Sequence, residues 1–284
     1  MNLECIPCFQ RQAIDAARMA TEDTGKQAYI LRKAIDILRG CDWDSKPPKF
    51  AQQIHGMIRR ELGTDPYDDV KRKSNDSILA LYPDLKVRVR ESGDTINTSV
   101  RMAIAGNIMD FGPTSSFDFE GTLEDCLKRD LSIDQCDSFK DACSKSSNIL
   151  YLTDNAGEIV CDRILLEEII DNYNVKKITL AVKGGNILND ATYQDISYVG
   201  LDKLPGVDVL CVSNGDPCSG IPRESHAFRN VMDRYDMIIS KGQGNYEMLS
   251  EHDDVFFLLK AKCQLIARNA GVPMGGMICG KNLS

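Results

Sequence analysis

The residues best equipped for chemistry in this sequence follow a short apolar run. Ile149 to Leu152 reads as a fully buried parallel strand, and the chain then breaks into Thr153, Asp154, Asn155, Ala156 and Gly157 before a helical pattern begins at Glu158. In open α/β sheets, ligands bind beyond the carboxyl ends of the strands, so this junction is where a site is expected. The adjacent carboxylate and carboxamide of Asp154 and Asn155 are oxygen donors suited to a hard divalent cation, and Gly157 lets the backbone turn tightly beside them. Either residue could equally cap the helix that follows, and the pair alone does not choose between the two roles.

The other strand ends add to the choice. Lys183, Gly184 and Gly185 lead to Asn189 and Asp190; Asn214, Gly215 and Asp216 follow a third strand; Lys241, Gly242, Gln243, Gly244 and Asn245 follow a fourth; Lys260 and Lys262 follow a fifth. One edge of the sheet thus collects carboxylates, amides, lysines and glycine turns. Glycine turns that feed helix N-termini offer N–H groups to an anion, lysines add charge, and the carboxylates suit a metal. Together they read as metal-assisted phosphate chemistry. No GxxxxGK[ST] loop and no GxGxxG after the first strand is present, which argues against triphosphate hydrolysis and a dinucleotide fold.

The elements that must position these residues alternate after Ser147. Strands are expected at Ile149 to Thr153, Ile178 to Val182, Val209 to Ser213, Met237 to Ser240, Val255 to Leu259 and Val272 to Ile278. Helical runs separate them at Glu158 to Tyr173, Asn189 to Val199, Arg223 to Tyr235, Asn245 to Glu251 and Lys262 to Asn269. The pattern predicts an α/β fold with a mostly parallel sheet at residues 146–284. Residues 1–145 read as all-helical, with apolar faces at Cys5 to Ala20, Ala28 to Leu38 and Pro47 to Leu62, and further helices at Tyr67 to Tyr82 and Thr95 to Ile108.

Composition narrows the class. At 284 residues and 43% hydrophobic the chain can bury a sizeable core. A net charge of -8 argues against a nucleic-acid or anionic-membrane binder. No apolar run is long enough to span a bilayer and the first residues lack a signal pattern, so a soluble, cytoplasmic protein is expected. Eleven cysteines in no disulfide-like spacing are expected as thiols, with Cys161, Cys211 and Cys263 packed in the core.

The motifs Asp154-Asn155-Ala156-Gly157-Glu158, Asn189-Asp190, Lys241-Gly242-Gln243-Gly244-Asn245-Tyr246 and Gly106-Asn107-Ile108-Met109-Asp110 resemble the damage-control phosphatase family. That family, once a domain of unknown function, is also called the metal-binding domain of acidic-residue methyltransferase-like proteins. Cys5-Ile6-Pro7-Cys8 and the short length resemble its stand-alone prokaryotic branch. The resemblance implies a helical part beside a three-layer α/β/α domain. It implies a metal-dependent phosphatase of small phosphorylated metabolites, such as sugar phosphates or damaged and side-product phosphoesters, that uses one divalent ion: Mn, Ni, Co or Mg. By motif match, Asp154, Asn155 and Asp190 would hold the metal, and Asp154, Asp190 and Lys241 would be catalytic. Lys241, the turn of Gly242 and Gly244, Asn107 and Asp110 would bind substrate.

Other candidates are bland by comparison. Cys5 and Cys8 could be half of a zinc site that Cys41 or a distant cysteine completes, there being no second CxxC, or two thiols packed near the cleft or against the second domain; as a redox pair they lack a preceding strand. His55, His226 and His252 read as surface or satisfied residues, and Lys86 to Arg90 as a solvated segment or edge. Two other functions fit the same cleft: a carboxyl methyltransferase using S-adenosylmethionine, for which no glycine-rich loop is evident, and a metal-dependent binding protein without turnover.

Overall fold

Successive residues of a β-strand face opposite sides of the sheet, and here both sides are apolar. The computed structural model describes residues 1–107, 119–216 and 218–283. Its strands are β1 (Ile133–Asp134), β2 (Asn148–Leu152), β3 (Lys177–Lys183), β4 (Val207–Val212), β5 (Met237–Lys241), β6 (Val255–Lys260) and β7 (Met277–Gly280). They form one sheet in the order β1-β7-β6-β5-β2-β3-β4. Strands β2 to β6 run parallel, β7 is antiparallel to β6, and β1 is parallel to β7. From β2 the chain winds outward through β3 to β4, then crosses to β5 on the other side. The carboxyl ends of β2 and β5 therefore flank the switch point where open sheets bind ligands.

Ile149 and Tyr151 of β2, Leu180 and Val182 of β3, and Ile239 of β5 face one core. Covering it are α4 (Asp68–Glu91), α5 (Thr95–Gly106), α6 (Phe119–Lys128), α7 (Cys136–Lys145), α8 (Glu158–Asn172) and α9 (Tyr193–Val199). Phe139 meets Phe256 edge-on there, with ring centroids 5.5 Å apart. Leu150, Leu152, Ala181, Ile238 and Phe257 face the opposite core, covered by α10 (His226–Met232), α11 (Gln243–Leu249) and α12 (Gln264–Asn269). Helices on both faces of a mostly parallel sheet make the fold α/β with three layers, as expected.

The remaining helices, α1 (Cys5–Ala20), α2 (Thr24–Arg39) and α3 (Pro47–Leu62), enclose a separate core of Phe9, Ala13, Ile30, Ala34, Ile54 and Ile58. Asp23 starts α2 by accepting from the N–H groups of Gly25 and Lys26. The expected boundary at residue 145 does not divide the cores, because Ile104 and Phe139 pack with Ile149. A short edge strand, β1, lies in the stretch read as all-helical, too brief to show alternation. Lys86 to Arg90 is not an edge but the last turns of α4: Val87 and Arg90 are solvated, whereas Lys86 pairs with Glu167 at 2.8 Å and Val89 is buried. Cys211 is exposed because β4 is an edge strand, and Cys263 is only half-buried; Cys161 is in the core as expected. Among the described residues, no helix is long and apolar enough to cross a membrane.

Candidate active site

The segment after β3 folds back on the end of β2. The Ala156 N–H donates to Asn189 O (2.9 Å) and the Ala191 N–H to Asp154 O (2.7 Å), an antiparallel bridge that sets Asn155 beside Asp190. This return uses residues 189–192, so the helix expected from Asn189 begins only at Tyr193. Within the return loop Leu188 adopts φ 48°, a left-handed conformation costly for a branched side chain, and packs on the α1–α3 core.

Asp154 and Asn155 are held from behind by Glu158, which is fully buried. Asn107 Nδ2 donates to Asp154 Oδ2 (2.8 Å) and to Glu158 Oε2 (3.0 Å), and Asn155 Nδ2 donates to the same two oxygens at 2.8 and 3.1 Å. With its amide nitrogen so engaged, Asn155 Oδ1 has no hydrogen-bond donor among the described residues. Glu158 Oε1 in turn accepts from Lys241 Nζ at 2.6 Å, and Asp162 Oδ1 accepts from the same ammonium at 2.5 Å. Lys241 also donates to Ala103 O (2.9 Å).

Lys241, expected against phosphate, is thus 0% exposed and faces the core under α5 and α8. It is the last residue of β5, on the same side as Met237 and Ile239, and that side is the α8 side. Gly242 also lies behind the cleft: its N–H donates to Leu258 O (3.3 Å), and at φ 77° a Cβ there would come within 1.8 Å of Asp154 Oδ2. Gly242 is glycine because Asp154 occupies its side-chain space. Asn107 is fully buried and orients Asp154 rather than lining the cleft. Asp110 lies outside the described residues.

In front of the carboxylates is a cavity of about 270 Å³ between the sheet edge and helices α1 and α3. Asp154, Asn155, Asp190 and Gly244 line it, joined by Lys183, Arg223, Glu247 and Lys262, which the sequence did not single out as site residues. Lys183 and Lys262 stand in the strand-end pattern, whereas Arg223 follows a loop with no motif to mark it. Lys183 Nζ lies 3.4 Å from Asp190 Oδ2. Arg223 donates to Asn245 Oδ1, and Asn245 Nδ2 donates to Thr153 O (3.0 Å) and Lys241 O (2.8 Å), tying the ends of β2 and β5 together.

The electrostatics follow from this crowding. Burial and the nearby carboxylates of Glu158 and Asp190 push the Asp154 carboxyl up to about 8, against the pull of Lys262 and Lys183. Burial and the Arg223 charge push Lys183 down to about 8. Burial raises Glu247 to about 7. Among the described residues, no group of three or more His, Cys, Asp or Glu side chains is arranged as a metal centre. The donor set here is two carboxylates and a carboxamide oxygen, all hard ligands, with negative charge in excess at Asp154.

Residues 1–278 match the damage-control phosphatase ARMT1-like domain. The chain belongs to that family. It is 35% identical over 290 residues to a damage-control phosphatase of Pyrococcus horikoshii, covering 99% of this chain and 98% of that one. It is 33% identical over 288 residues to a damage-control phosphatase of Archaeoglobus fulgidus, covering 96% of each. Its fold matches the crystal structure of a DUF89 family protein from Pyrococcus horikoshii with a TM-score of 0.87 and 33% identity over 99% of both chains.

Proposed function

We propose that this protein hydrolyses phosphomonoesters of small metabolites, sugar phosphates or damaged and side-product phosphoesters, with the help of one divalent cation. The observation that carries the reading is the bridge between Asn155 and Asp190, which gathers Asp154, Asn155 and Asp190 at the switch point beside Lys183. Family membership supports phosphatase chemistry. Asp154, Asn155 and Asp190 would hold the ion, whether manganese, nickel, cobalt or magnesium. Bound there, it would supply a Lewis acid that polarises a phosphoryl oxygen.

The protein's own groups divide the remaining work. Lys183 and Lys262 bring positive charge to the phosphoryl oxygens, in place of the role first expected for Lys241. The first N–H groups of α11, around Gly244, have no capping side chain and add donors at the same wall. Asn107 and Glu158 keep the Asp154 carboxylate and the Asn155 oxygen aimed forward. Helices α1 and α3 form the wall that faces the sheet edge.

The test is release of inorganic phosphate from p-nitrophenyl phosphate and a sugar-phosphate panel, after chelation and after return of each divalent ion, with Asp154→Ala beside the parent. Activity restored by a metal and lost in the folded variant supports the proposal. Full activity in Asp154→Ala sinks it, and ligand binding without turnover would favour the non-catalytic reading.

A further inference from the structure

A second cavity, about 920 Å³, opens between α3 and the loop after β4. Gln52 lines both this groove and the cavity at Asp154, so the two are neighbours across one side chain. Gly215, at φ 102°, lies flush against Gln52, with a Cβ position 2.7 Å from the Gln52 Cβ. Asn214, on the groove wall, donates through Nδ2 to Asn186 O (3.0 Å) in the loop that carries Asp190.

The groove is cationic in an acidic protein. Lys49, Arg59 and Arg60 line it from a single face of α3, and the Arg60 guanidinium lies over Gly56, 3.4 Å from where a Cβ would stand. Among the described residues none of the three takes part in an ion pair or a side-chain hydrogen bond. Asp216 and Glu224 on the opposite wall, and Asp65 behind Arg59, stay beyond ion-pair distance. Arg59 is half-buried, and burial lowers its pKa despite the pull of Asp65 and Asp216. A half-buried guanidinium without a partner has five unused donors, and planar acid groups match them in pairs.

We propose that this groove is a subsite for a second acidic group on the substrate, a carboxylate or a second phosphate, carried by the leaving group past Gln52 to Arg59, with Arg60 and Lys49 at its rim. This rests on the phosphatase reading of the neighbouring cleft and deepens it: the preferred substrates are diacids. One charge-assisted contact of this kind is worth on the order of a tenfold preference.

Two substrate pairs test it: 6-phosphogluconate against sorbitol 6-phosphate, and fructose 1,6-bisphosphate against fructose 6-phosphate. They differ by a carboxylate and by a phosphate, so they also tell which acid the groove takes. The parent should favour the diacid in at least one pair by about tenfold in kcat/KM. Arg59→Gln should erase that preference while p-nitrophenyl phosphate turnover is unchanged. Equal kcat/KM within both pairs, or a preference that survives in Arg59→Gln, overturns the subsite without touching the phosphatase reading. If no substrate is turned over, the phosphatase reading falls, and calorimetry with 6-phosphogluconate decides the groove alone. Binding weakened about tenfold by Arg59→Gln upholds it, and binding unaffected by the substitution, or none in the parent, overturns it.

Discussion

Lys183 and Lys241 begin alike and end in opposite roles. Each closes a parallel strand and is followed by glycine, in Lys183-Gly184-Gly185 and Lys241-Gly242-Gln243. Lys241 has the parity of Ile239 and points under α8, where burial alone would lower its pKa but Asp162 and Glu158 hold it raised. Lys183 has the parity of Ala181 and points the other way, into the cleft, where burial and Arg223 lower it to about 8. The buried lysine enclosed by carboxylates is a strut, and the lysine among competing charges is available to an anion. Position along the strand, not the motif around it, separates them.

Lys241→Met should have the largest effect. It strands Glu158 and Asp162 as unpaired buried carboxylates, so denaturant unfolding should show a loss on the order of 3–5 kcal/mol. A loss under about 1 kcal/mol would mean the cluster is not ionised and would break the comparison. Gly242→Ala pushes a methyl group into Asp154 Oδ2. A displacement of about 1 Å there should lower kcat roughly 100-fold with the protein still folded by circular dichroism; parental activity would show that Asp154 is not held in place.

His55 sharpens the rule from a third side. It is buried between α1 and α3 with no carboxylate beside it among the described residues, bonded to Gln12 Oε1 at 3.2 Å, and burial followed by Arg59 lowers its pKa to about 3. The unfolded chain binds a proton near pH 6.5 and the folded chain does not, so stability is present above that pH and falls as pH drops toward 3. Between pH 6.5 and 5 the loss should be about 2 kcal/mol, and His55→Leu should flatten it in urea titrations at each pH. An unchanged slope would place the acid sensitivity elsewhere.

Much of the framework was legible in the sequence. Apolar spacing located α1 and α3 to the residue, and apolar runs located β2, β3, β5 and β6 within a residue or two. Asp154, Asn155 and Asp190 were legible because strand ends and a motif marked them. The helix expected at Tyr67 to Tyr82 runs on through Pro83 to Glu91, because Leu85 and Val89 bury on the core. What stayed hidden depended on facing and folding back. The turn of residues 184–192 onto β2 has no sequence period, and Arg223 becomes a cleft residue only through Asn245. The parity of Lys241 could have been counted from Ile239, and that count was the missed signal.

The most direct measurement is inhibition by inorganic phosphate of Lys183→Gln beside the parent, with unfolding curves for both. The cleft face as the phosphate-binding face predicts a Ki raised about tenfold with stability nearly unchanged. A Ki equal to the parent's would contradict the account, and would return the search for the phosphate ligand to the other charges around Asp154.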